Sequence, residues 1–316
     1  MEAVYNKLVR SSLRQLLDHA LDYAGLFPPA RLEPVPALDE YRRWQSHEFG
    51  FTLGRFCCPI SRLSELLPHL REGVSLEVAA IGQVTDSIDT WNTARESEAR
   101  LLTDFQVKAG GVAEIQAFEV RLPEVPEAAK LLDDLQGFSG ADVYVELPWN
   151  EAMTDTVAAA VHYDWLALKA RTGGTRKGDV PDSFSLARFV WDCMSLETPF
   201  KLTAGLHHPL PNVNADTGDR QHGFLNVLTA CVLAYAEEVP VKELSESLEI
   251  SDPRLWEFQD DFMRFQDHVI RTADIDAARE IFTGFGSCSV EEPYDDLDAL
   301  GFLTRTGPGK NGSNTR

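Results

Sequence analysis

The chain has 316 residues with 50 Asp and Glu against 29 Lys and Arg, and its formal net charge of −21 argues against nucleic acid and anionic membrane as partners. An apolar share of 44% with 9% aromatic residues excludes wholesale disorder and supports a large core. No apolar run reaches bilayer length and the start does not read as a signal peptide, so a cytoplasmic location is expected.

Residues 6–23 put Leu8, Leu13, Leu16, Leu17, Ala20 and Leu21 at helical spacing, which predicts an N-terminal helix buried on one face. The prolines within 24–30 leave room for only a short first strand near Leu26. Residues 36–47 read as a helix with Leu38, Tyr41 and Trp44 on one side. Six apolar runs of strand length follow, at 50–58, 75–82, 115–122, 142–147, 165–171 and 200–206. Helix-like intervals at 60–72, 91–108, 125–135, 152–161 and 183–195 separate them. A helical tract then runs through 222–238, 241–248 and 253–270, before an eighth strand within 281–290 and a closing helix at 293–300. Residues 304–316, rich in Gly, Asn, Ser and Lys, are expected to be disordered.

Eight strands alternating with helices predict an α/β fold, a closed (β/α)8 barrel of the TIM type. One domain spans residues 1–303, with an N-terminal helix and a helical insertion at about 222–272 between strands 7 and 8. The open doubly wound sheet is disfavoured because the first turn carries no GxGxxG. The apolar segment 222–238 needs a cover, which residues 253–270 or a second copy of the chain can supply, so a homo-oligomer is one expectation.

Barrel enzymes carry their chemistry at the C-terminal strand ends, and there the polar residues cluster. Glu119 and Arg121, Lys169 and Arg171, and Lys201, Thr203 and His207 each share one face of a strand by the two-residue period, with apolar Phe118, Val120, Leu168 and Leu202 on the other. Charges on an inward face must be paired or used. The candidate catalytic set is Lys169, Glu119, Glu146, His207 and His208, and the candidate substrate-binding set is Arg55, Arg121, Arg171, Thr172, Gly173, Gly174, Lys201 and Thr203. With Arg176 and Lys177 these residues predict a basic mouth on an acidic chain, suited to a small carboxylate or phosphate.

Burial is expected to lower the pKa of Lys169, which suits a proton-abstracting base or an imine-forming nucleophile; a structural ion pair with Glu119 or Glu146 is the alternative. His207 or His208 is the candidate acid. The sequence therefore points to a lyase or isomerase without a cofactor. Its rivals are a divalent-metal hydrolase using His207, His208, His222 and a carboxylate, and a non-catalytic ligand-binding barrel. The cysteines, Cys57, Cys58, Cys193, Cys231 and Cys288, are odd in number and contain no CxxC, which fits reduced, buried thiols.

Overall fold

The computed structural model describes residues 9–71, 73, 75–125 and 128–303. The tail at 304–316 and the start of the first predicted helix lie outside the described residues. Eight strands close a barrel: β1 (Leu21–Tyr23), β2 (Leu53–Pro59), β3 (Leu76–Ile81), β4 (Ala113–Arg121), β5 (Asp142–Leu147), β6 (Leu166–Arg171), β7 (Phe200–Thr203) and, after an insertion, β13 (Phe282–Ser287). Neighbours pair in parallel, and β13 closes the ring between β7 and β1. This is the predicted (β/α)8 architecture.

Alternation along each strand divides the side chains into two populations. Phe118, Val120, Val143, Val145, Leu168 and Leu202 join the main core beneath the helices, whereas Cys57, Ala79, Ala117, Tyr144 and Ala167 form a separate cluster inside the barrel. The inner cluster is built mostly from small residues. That choice leaves the axis open for a few long side chains.

The outer layer comprises α1 (Ser11–Leu17), α2 (Pro34–Gln45), α3 (Leu63–Leu66), α4 (Ile88–Ala109), α5 (Met153–Ala160), α6 (Ser183–Ser195), α9 (Thr272–Ile281) and α10 (Glu291–Ala299). α4 starts at a reciprocal capping box between Ser87 and Thr90 and stops at Gly110, whose φ of 58° reverses the chain. The interval between β4 and β5 is a 3-10 helix, Ala128–Phe138, rather than an α-helix.

Two elements depart from the sequence reading. The first strand is not near Leu26 but at Leu21–Tyr23, inside the span assigned to the N-terminal helix. The helix stops at Leu17 and His19 turns the backbone with a φ of 48°, so Leu21 and Tyr23 pack outward while Asp22 points inward. The insertion is only half helical. It opens with the short hairpin β8 (Asn212–Val213) and β9 (Arg220–Gln221), continues through α7 (Phe224–Glu237) and α8 (Val241–Leu248), and ends in a three-stranded antiparallel sheet, β10 (Trp256–Phe258), β11 (Phe262–Phe265) and β12 (His268–Arg271). Trp256, Phe258, Met263, Phe265 and Ile270 are buried in alternation with more exposed neighbours, two of which, Phe262 and Val269, are apolar, and the runs of three or four residues are too short to outweigh a helical window.

This sheet and α6, α8 and α9 cover α7, whose residues Phe224 through Ala234 are all buried within the chain. Buried Asn226 donates to the carbonyls of Ser247 and Ile250, and Thr229 accepts from Trp256, so the polar atoms that α7 buries tie the insertion together. No helix among the described residues is long and apolar enough to cross a membrane.

Phe285 of β13 stacks on Phe224 with ring centroids 5.2 Å apart, fastening the insertion to the barrel. Phe285→Ala should lower stability by about 3–5 kcal/mol. Urea unfolding should show this as a lower midpoint at unchanged slope.

Candidate active site

Lys201 of β7 contacts Asp22 of β1 and, at 2.6 Å, Oε1 of Glu119 on β4. These strands are not all neighbours, so the three side chains meet on the barrel axis. The other oxygen of Glu119 lies 2.8 Å from Nζ of Lys169 on β6, whose ammonium is also 2.9 Å from Glu146 of β5. Asp22, Glu119, Glu146, Lys169 and Lys201 thus form one chain of alternating charge, each no more than 6% exposed. A Cβ at Gly54 would come within 2.5 Å of the second Asp22 oxygen, and glycine there lets the Arg55 N–H donate to that oxygen at 2.6 Å.

The electrostatics reverse one expectation. Burial by itself pushes Lys169 down, but Glu119 and Glu146 outweigh it and the ammonium is held above its ordinary range. Lys201 is raised further, because Asp22 and Glu119 together overcome its burial. Glu119 is driven the other way. Burial raises its pKa, yet two lysines bring the carboxyl down to about 2.

The sequence-derived candidates separate into groups. Lys169, Glu119 and Glu146 come together with Lys201, which lies in the barrel core and not at the mouth. Arg55, expected at the mouth, sits near the N-terminal end of β2, where it pairs with Asp142 at the start of β5 and donates to the Tyr144 hydroxyl at 3.2 Å. Tyr144 passes the chain of hydrogen bonds to Thr283 of β13, so these residues plug the end of the barrel opposite the expected mouth.

Arg121 is at the C-terminal end but shared between Glu124, at 2.7 Å, and Glu146, at 3.9 Å. Arg171 is exposed on the same strand face as Lys169 and forms no salt bridge among the described residues. Thr203 is half-buried beside it, and its carbonyl accepts the Thr172 N–H. The Thr172 hydroxyl donates to the Ala204 carbonyl at 2.5 Å and is spent on structure. Gly173 packs against Gly205, where a Cβ would meet the neighbouring backbone at 3.0 Å, and Gly174 faces the Asp179 carboxylate. Packing therefore accounts for both glycines. Of the cations expected at a basic mouth, Asp or Glu offsets Arg121, Lys169, Arg176 and Lys201, and Arg55 is elsewhere, which leaves Arg171 and Lys177 without a salt bridge among the described residues.

Because β7 ends at Thr203, both histidines lie in the following loop, and they diverge. Nδ1 of His207 faces Glu292 at 3.3 Å, and burial, which lowers its pKa, is overcome by Cys288 and Glu292, which lift it to about 9. His208 instead meets Asp296 at 2.6 Å on the outer side. His222 is buried against the Pro181 carbonyl at 2.8 Å, and burial lowers its pKa. The histidine metal set considered above is not assembled. The group with metal-ligand proximity among the described residues is Asp22, Cys57 and Glu119, whose donor atoms lie within 4.8 Å of one another. Lys201 already presents a cation to both carboxylates there.

Asp22 and Cys57 were missed in the sequence. Asp22 carried a signal, a single charge between two apolar residues in Leu21–Tyr23, but the helical assignment hid its inward direction.

Comparison with known proteins finds no matching family, no similar curated protein and no similar solved structure. The fold and the site define a (β/α)8 barrel with a buried charged cluster, consistent with an enzymatic active site for a small molecule.

Glu119 has a folded pKa of about 2 against an ordinary value of 4.5, so its contribution is complete above pH 4.5 and is lost as pH falls from there through 2. Urea unfolding at stepped pH should show Glu119→Gln less stable than the parent by about 3 kcal/mol near neutrality, with the gap closing towards pH 2.

Proposed function

We propose that this barrel is a lyase or isomerase whose Lys169 forms an imine with the carbonyl group of a small anionic substrate. The observation that carries the reading is the placement of Lys169: nearly buried near the C-terminal end of β6, between two carboxylates, with exposed Arg171 two residues further on the same face. Two residues of parallel strand separate their Cα atoms by roughly 6.6 Å, a span suited to a short molecule with a carboxylate or phosphate at one end and a carbonyl at the other.

The resting ammonium must lose a proton before it can attack. Glu146, 2.9 Å from Nζ, is the acceptor within reach, and Glu119 keeps its charge because Lys201 also pairs with it. The free amine adds to the carbonyl carbon, the oxygen leaves as water after protonation, and the resulting iminium draws electrons from an adjacent C–H or C–C bond. His207, kept protonated to about pH 9 against burial by Cys288 and Glu292, is a proton donor at the same end of the barrel. Hydrolysis of the imine restores Lys169.

Incubation with small keto acids, aldehydes and sugar phosphates, followed by borohydride and peptide mass analysis, tests this reading. A reduced adduct on Lys169, lost in Lys169→Met, is the expected result. Absence of any adduct across the panel, or one on surface lysines alone, would leave the ion-pair chain a structural device and the barrel without imine chemistry.

A further inference from the structure

A second group of reactive side chains collects where β13 ends. Cys288 follows directly on β13, and its Sγ lies 3.9 Å from Nδ1 of His207. The same nitrogen is 3.4 Å from Ser287 Oγ and 3.3 Å from the Glu292 carboxylate. Ser287 pins this turn from both sides, because its hydroxyl donates to the Ser289 carbonyl at 2.7 Å and its own carbonyl accepts the Ala24 N–H at 2.7 Å. The thiol is therefore held against the imidazole by main-chain bonds.

We propose that Cys288 is a covalent modification site for small uncharged soft electrophiles, with its sulfur lying against the His207 ring. The His207 ring beside the sulfur stabilises the negative charge that the sulfur carries as it attacks. The other thiols lack this setting. Cys57, Cys58, Cys193 and Cys231 are 5%, 0%, 0% and 1% exposed, against 8% for Cys288, and burial pushes each of those four thiols up. Cys57 also faces the Asp22 and Glu119 carboxylates, which oppose a second negative charge. The preference for uncharged reagents follows from half-exposed Glu292, whose carboxylate meets the same His207 nitrogen as the sulfur, and from the chain's net charge of −21.

Iodoacetamide serves as the probe. The thiol proton passes to water, the sulfur forms a bond to the methylene carbon, and iodide departs with the electrons of the broken C–I bond. Substoichiometric labelling of the native chain near neutral pH, with intact-mass and peptide analysis, should give a first adduct on Cys288 that Cys288→Ser abolishes. Labelling in His207→Asn should be slower on the order of tenfold. Negatively charged iodoacetate should react more slowly than iodoacetamide, and Glu292→Gln, a change at a half-exposed position that the fold should tolerate, should narrow that difference. First labelling at Cys57, an even spread over the cysteines, or no labelling before unfolding would overturn the proposal. So would equal rates for the two reagents in the parent chain.

Discussion

The contact on which the interior depends is Lys201 between Asp22 and Glu119. One ammonium, 1% exposed, joins β7 to β1 and to β4 across the barrel axis. Removing it would leave two carboxylates buried without their main counter-charge, a change that typically destabilises far more than the intact pair stabilises. Lys169 extends the same logic to β5 and β6, so most of the closed ring is cross-linked by four ion-pair contacts. An apolar filling of equal volume could hold the strands as well. The charges are better understood as the requirement that the small inner residues Ala79, Ala117 and Ala167 were selected to accommodate.

The two ends of the barrel resolve their charges differently. At the end where the strands begin, Arg55, Asp142, Tyr144 and Thr283 satisfy one another and close the barrel. Towards the other end Lys169 and Arg121 each meet two carboxylates, and beyond them exposed Arg171 has no salt bridge among the described residues. The exposed Arg171 at the strand end, against the closed network at the start, gives the barrel a direction. It agrees with the general placement of barrel active sites at the C-terminal strand ends.

The barrel was legible because its strands obey both signals that sequence carries, period-two alternation and spacing by helix-length intervals. Asp142–Leu147 and Ser183–Ser195 have the boundaries their patterns imply. Short elements escaped. Three residues of β1 cannot display a period against the helical run before them, and the insertion sheet hid its alternation in three- and four-residue pieces. For the site, alternation set Lys169 and Glu119 on inward faces, and the structure brings both together with Glu146. Alternation could not give height along the axis. Arg55 has the correct inward phase but the wrong end, because the position of β2 relative to its neighbours is set by pairing register and not by its own residues.

Lys169 shows why phase and burial together still do not determine chemistry. Burial alone predicts a lysine with a depressed pKa, and the same burial appears here as the largest single influence on it. The outcome reverses because two carboxylates arrive from the separate strands β4 and β5, and their combined attraction exceeds the loss of hydration. In the proposed reaction the carboxylates of Glu119 and Glu146 hold Nζ as an ammonium with no free lone pair, and transfer of a proton to Glu146 would free the lone pair for the carbonyl. On the proposed function, the ion pairs that hold the strands together are also the ones that keep Lys169 protonated at rest, so its structural and reactive roles would be two states of one set of contacts.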